Sequence, residues 1–161
     1  MAAYVKCQQA LDKFKSIFVD IGLSQAILGL DLKQWFLNPE QAFVNQGNIV
    51  EAFVGQEMVA YSHVFLKKEL YYWHREARTS SAEIDFVISH KGTVIPIEIK
   101  AGTSGTLKSL QYFVDEKKLN LGVRFCSQLP SFTKTKKYNL LSLPLYLVQE
   151  LPRLLDACND R

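Results

Sequence analysis

The sequence predicts an α/β domain with a mixed central sheet flanked by helices, its core running helix, three strands, helix, strand. Two observations carry that expectation. A helical stretch near Asn48–His63 is followed by three short extended runs between residues 71 and 100. A second helical stretch, Ser104–Lys118, then separates those runs from a further strand at Gly122–Cys126, which makes it a natural crossover. Composition sets the scale: 161 residues, 48% hydrophobic and 22% charged, describe one globular domain able to close its own core.

Each element has a local reason. Tyr4–Asp12 reads as a short helix, Lys15–Asp20 as a strand of β-branched and aromatic residues, and Leu23–Leu30 as a helix ending near Gly29. Asn38-Pro39-Glu40-Gln41 carries helix-start chemistry: an N-cap, a proline at the first helical position and a glutamine three residues past the cap. Tyr71-Tyr72-Trp73, Ile84–Ser89 and Thr93–Lys100 are the three strands. Ser131–Lys137 reads as a polar, basic loop, Tyr138–Leu141 as a strand and Leu147–Cys158 as a helix. With no repeat or linker, the chain is one unit. Its core covers residues 48–126, with an N-terminal extension at 1–47 and a C-terminal strand and helix at 127–161.

Several function classes are disfavoured at this level. The most apolar stretch, Leu140–Leu155, is broken by Ser142, Pro144, Gln149, Glu150, Pro152 and Arg153, short of the ~20 residues a membrane span needs. Without a basic-then-apolar start, a cytoplasmic location with no membrane contact is expected. Cys7, Cys126 and Cys158 are odd in number and widely spaced, and His63, His74 and His90 form no ligand pair, so neither a disulfide framework nor a zinc site is indicated. A net charge of +3 is compatible with nucleic acid without demonstrating it.

The chemistry is concentrated between Glu83 and Lys100. Ile84, Phe86 and Ile88 alternate with Glu83, Asp85 and Val87, while Ile95, Ile97 and Ile99 alternate with Val94, Pro96, Glu98 and Lys100. One shared apolar face is expected, with Glu83, Asp85, Glu98 and Lys100 together on the other. A two-residue turn at Lys91-Gly92 would set Asp85 opposite Glu98 and Glu83 opposite Lys100. Opposed carboxylates destabilise a sheet unless something holds them, and Mg²⁺ or Mn²⁺ would, leaving positions for phosphate and a nucleophilic water. Lys100 would then orient that water or offset charge on the phosphate. The plain alternative is a hydrated outer face with an ordinary Glu83–Lys100 ion pair.

Asp85 and Glu98-Ile99-Lys100, in this order of elements, resemble the PD-(D/E)XK nuclease superfamily, whose restriction-endonuclease-like core runs αβββαβ. Glu51 fits the family's first-helix acid, with Glu57 as the other choice. More narrowly, the chain resembles the uncharacterised module C-terminal to the ATPase domain of many prokaryotic AAA-type ATPases. Phe18-Val-Asp-Ile-Gly-Leu23, Ala26-Ile-Leu-Gly-Leu30, Tyr71-Tyr-Trp73, Ala82-Glu-Ile-Asp-Phe-Val87, Ile97-Glu-Ile-Lys100 and Leu143-Pro-Leu-Tyr146 carry the likeness, from about residue 14 to about 153.

The resemblance implies a metal-dependent DNA phosphodiester hydrolase. Asp85 and Glu98 would ligate the ion, the Ile99 carbonyl would complete the set, and Glu51 would act through a water. Gln111 is similar to a glutamine on the second core helix of some superfamily nucleases. An ATPase domain is an implied partner, but no Gly-x-x-x-x-Gly-Lys-Ser/Thr occurs here, so it would lie upstream or in another protein. The rival is a non-catalytic module binding DNA, a partner ATPase or a second copy of itself.

The side features divide similarly. Thr103-Ser104-Gly105-Thr106 could cradle a phosphate or merely connect strand to helix. Lys134, Lys136 and Lys137 could meet a DNA backbone or water. Tyr71, Tyr72 and Trp73 could stack on bases, although packing against the sheet is the commoner role. His74 and Arg75 lie just after that strand, where Arg75 or Arg78 could contact a phosphate.

Overall fold

The computed structural model describes residues 15, 17–27, 47–61, 70–75, 81–102 and 105–159. Helix α1 (Ile21–Ile27) and α2 (Gly47–Ala60) are followed by β1 (Tyr71–Arg75), β2 (Ala82–His90) and β3 (Thr93–Ile99). Helix α3 (Lys108–Lys117) leads to β4 (Leu121–Phe125), then β5 (Ser131–Lys134) and β6 (Asn139–Leu143). A 3-10 helix (Leu145–Glu150) and α4 (Leu151–Asn159) close the chain. The six strands form one mixed sheet in the order β1-β2-β3-β4-β6-β5. Strand β4 runs parallel to β3 and β6, and the other neighbours pair antiparallel. This is the α/β order expected, with helix α3 as the crossover between parallel β3 and β4.

The sheet is covered on both faces. Val50, Val54 and Met58 of α2, with Val148, Leu151 and Leu155, pack on the side chains of Ile95, Ile97, Ile99, Val123 and Phe125. On the other face Leu110, Phe113 and Val114 of α3 meet Ile84, Val87, Tyr138 and Leu140. Gly122 lets α3 approach, since a Cβ there would stand 3.2 Å from both terminal carbons of Leu110.

Three expectations about element bounds and types are corrected. Residues 15 and 17–20 carry no strand; Asp20 instead caps α1, its Oδ1 accepting the Leu23 N–H at 2.8 Å. Residues Ser131–Lys134 are not loop but the edge strand β5, with the half-buried Phe132 packed on the core. Lys134 and the lysines that follow, Lys136 and Lys137, disguise it in the sequence, and a charged residue suits an exposed edge. Helix α3 starts at Lys108 rather than Ser104, with Leu107 at the cap position and no side-chain cap. The expected Tyr4–Asp12 helix, the Asn38-Pro39 helix start, Cys7, His63, Arg78, Thr103 and Ser104 lie outside the described residues.

The β2–β3 turn is the two-residue one, with Lys91 (φ 49°) and Gly92 (φ 79°) both left-handed as a type I′ turn requires. Its register runs from His90↔Thr93 to Phe86↔Ile97 and stops there. On the opposite edge of β2, Tyr71 faces Val87 and Trp73 faces Ile84, so β2 carries one extra residue between those pairs. That bulge, at Asp85-Phe86, overturns the single apolar face: Ile84 joins Val87 against α3, whereas Phe86 and Ile88 pack toward α2.

Candidate functional site

The bulge re-aims Asp85. Where the β2–β3 ladder would continue, the Ile99 N–H instead donates to Asp85 Oδ2 at 2.7 Å, so the carboxylate stands between the strands in place of a main-chain carbonyl. Its other oxygen, Oδ1, lies 3.7 Å from the ammonium of Lys15.

Lys15 is the residue that sequence reasoning missed. Its Nζ donates to Glu51 Oε1 on α2 at 2.7 Å, lies 2.7 Å from Glu83 Oε1, and lies 3.5 Å from the main-chain oxygen of Asp85. The rings of Tyr72 and Phe86 flank it, with centroids at 5.6 and 5.9 Å. Its partners are 36 and 70 residues away along the chain, so no local pattern marks it. Burial works to pull its ammonium down, yet the hydrogen bonds to Glu51 and Glu83 and the charges of Glu51 and Asp85 outweigh it, and the net direction is up.

On β3 the alternation is regular, so Glu98 and Lys100 share the α3 side of the sheet, away from Ile97 and Ile99. Lys100 Nζ donates to Glu98 Oε1 at 2.6 Å. The Glu98 side chain is only 7% exposed, and its Oε2 is buried with no hydrogen-bond partner. Burial, then the charges of Asp85 and Glu83, raise its carboxyl above the usual range against the pull of Lys100. Burial likewise raises Asp85, opposed by the Ile99 N–H, Lys15 and Lys100, and it raises Glu51, opposed chiefly by Lys15.

The expected residues are therefore brought to one end of β2 and β3, but not onto one face. Glu83 and Glu51 approach with Lys15 from the α2 side, Glu98 and Lys100 belong to the α3 side, and Asp85 stands at the fork between them. The Glu83–Lys100 ion pair of the plain alternative is not made: Glu83 meets Lys15 and Lys100 meets Glu98. Among the described residues no three His, Cys, Asp or Glu side chains converge closely enough to hold one ion, so Glu51 does not join Asp85 and Glu98 around a common point. Two carboxylates with waters remain a sufficient set for magnesium.

Gly105 serves this site. At φ 154° it lies against Lys100, and a Cβ there would stand 2.9 Å from Lys100 Cδ. Gln111 is exposed on α3 and makes none of the polar contacts described for the acids. Lys134, Lys136 and Lys137 are exposed beside the pair Lys134↔Asn139, at the start of β6, whereas the acids lie level with the ends of β3 and β4. Four strand spacings, roughly 19 Å, also separate β2 from β5. Lys137 is paired with Asp115 of α3. Trp73 packs edge-on against Phe113 and stacks on Tyr112, and Arg75 lies 4.6 Å over the Tyr112 ring, so this part of β1 serves as cover for the sheet.

A family model described as "Domain of unknown function (DUF4143)" matches residues 46–146, which takes in α2, all six strands and α3. The chain belongs to the DUF4143 family. The match includes Glu51, Asp85, Glu98, Lys100 and Gly105, while Lys15 lies outside the DUF4143 segment. Neither the comparison with curated proteins nor that with solved structures gave a match. No described helix is long and apolar enough to cross a membrane.

Proposed function

We propose that this DUF4143 domain is a metal-dependent phosphodiester hydrolase acting on DNA, with a PD-(D/E)XK-like centre at Asp85, Glu98 and Lys100. The observation that carries the reading is Glu98 Oε2, a buried carboxylate oxygen without a hydrogen-bond partner that feels the charge of the half-buried Asp85. Leaving such a group unsatisfied is costly, and a hard dication is the partner its chemistry suits.

Asp85 and Glu98 would hold Mg²⁺ or Mn²⁺, with the carbonyl of Ile99, the residue after Glu98, as a third donor. When bound, such an ion polarises a phosphoryl oxygen and lowers the pKa of a bound water. The Ile99 N–H fixes the Asp85 carboxylate, so that group needs little rearrangement. Lys100, held by Glu98 and seated against Gly105, carries the positive charge that would meet a phosphate oxygen or orient the attacking water. Glu51 acts at one remove, through Lys15.

The rival, a module that binds DNA or an ATPase partner without cleavage, draws on the same Lys15 contact, because an internal ammonium already neutralises part of the acid cluster. A nicking assay on plasmid and branched DNA separates the two. Wild type should nick with Mn²⁺ or Mg²⁺ and not with chelator, and Lys100→Ala and Glu98→Gln should abolish the activity. Equal activity in all three proteins would mark a contaminant. No activity together with intact DNA binding would establish the rival.

A further inference from the structure

We propose that Lys15 is a tethered cation that competes with the dication for Asp85, so that Lys15, seated together with Ile17, acts as a built-in plug on the site. The inference rests on the dication reading above and adds a residue outside the family segment. Three carboxylates and a main-chain oxygen surround Lys15 Nζ: Glu51 and Glu83 at 2.7 Å each, Asp85 Oδ1 at 3.7 Å and Asp85 O at 3.5 Å. These are hard oxygen donors, the class a divalent ion takes. An ammonium and a dication sharing Asp85 would stand a few ångströms apart in a partly buried setting, where like charges repel strongly.

A second, independent observation leaves an acceptor for another cation. Glu98 Oε2, buried and unpartnered, lies beyond the reach of the Lys15 contacts, and its carboxyl feels the Asp85 charge. Three carboxylates against one ammonium also leave the cluster negative, so Lys15 weakens dication binding without abolishing it.

The plug is seated by packing as well as by charge. Ile17 joins the core on the α2 side, in space that exists because position 55 is glycine: a Cβ there would lie 3.1 Å from Ile17 Cδ1. Tethering keeps the ammonium at high effective concentration beside Asp85. Metal affinity thereby depends on whether Lys15 and Ile17 are seated.

The test is a Mn²⁺ titration of the full chain, read as loss of the free-ion electron paramagnetic resonance signal. Lys15→Met should lower the half-saturating Mn²⁺ concentration by about tenfold or more. Ile17→Ala, which removes no charge, should shift it in the same direction by less. An unchanged or raised value in folded Lys15→Met overturns the plug while leaving the dication reading standing. If Lys15→Met does not fold by circular dichroism, Ile17→Ala decides, and an unchanged or raised value there overturns the plug. Absence of Mn²⁺ binding by wild type and both variants overturns the dication reading and the plug with it.

Discussion

Asp85 accepts the Ile99 main-chain N–H through Oδ2 at 2.7 Å, doing with a side chain what the β2–β3 ladder no longer does there. The same carboxylate is thus a structural acceptor and a candidate ligand, and substitutions can divide those roles. Asp85→Asn keeps an acceptor and sheds a half-buried charge, so it should be no less stable than wild type without metal. Asp85→Ala strands the N–H and should cost ~1–3 kcal/mol in urea unfolding. Equal stability of the two variants would show that the hydrogen bond has no structural weight.

Divalent ions should stabilise the folded chain saturably, by about 2.7 kcal/mol at one hundred times Kd. Asp85→Asn and Glu98→Gln should each remove the effect. Thermal unfolding at several Mn²⁺ concentrations measures it, and an undiminished shift in either variant would move the ion elsewhere.

The raised carboxyl of Glu98 fixes a sign for pH dependence. Above its ordinary value of 4.5 the unfolded chain has released this proton while the folded chain still holds it. Stability therefore falls as pH rises from about that value through the folded pKa, and the loss persists at neutral pH. Without metal, Glu98→Gln should flatten this part of the stability curve and be the more stable protein at pH 7. The two proteins should converge as pH drops below the unfolded value. A wild-type advantage at pH 7 would mean that the Lys100 contact outweighs burial.

Gly105→Ala should act on Lys100. The added methyl meets the middle of a flexible side chain, so stability should change little beyond the cost of the unusual φ. Nicking activity, where Lys100 must be placed accurately, should fall. Full activity in Gly105→Ala would show that the close approach has no functional weight.

Gly55→Ala has the opposite profile. A Cβ there would stand 2.8 Å from Phe86 Cζ and 3.1 Å from Ile17 Cδ1, inside a filled core, so about 1–3 kcal/mol of destabilisation is expected by overpacking. A neutral result would show that Ile17 gives way freely.

Periodicity made the α/β order, the strands β1 to β3 and the Lys91-Gly92 turn legible, because each depends on residues within a few positions of one another. Strand β5 escaped because its partner β6, rather than its own short polar sequence Ser-Phe-Thr-Lys, makes it a strand. The Asp85 and Glu98-x-Lys100 spacing was likewise readable, since two strands joined by a tight turn almost dictate their own register.

What the chain could not declare locally is which side of the sheet each charge would take. An extra residue in β2 is visible only against β1; it turns Ile84 to one face and Phe86 to the other and leaves Asp85 at the fork. Nor could any short pattern select Lys15, whose ammonium is assigned its role by acids brought in on α2 and β2. Hydrophobic alternation is a local property and survives in the sequence. Charge pairing across many residues exists only once packing has brought the partners within a few ångströms.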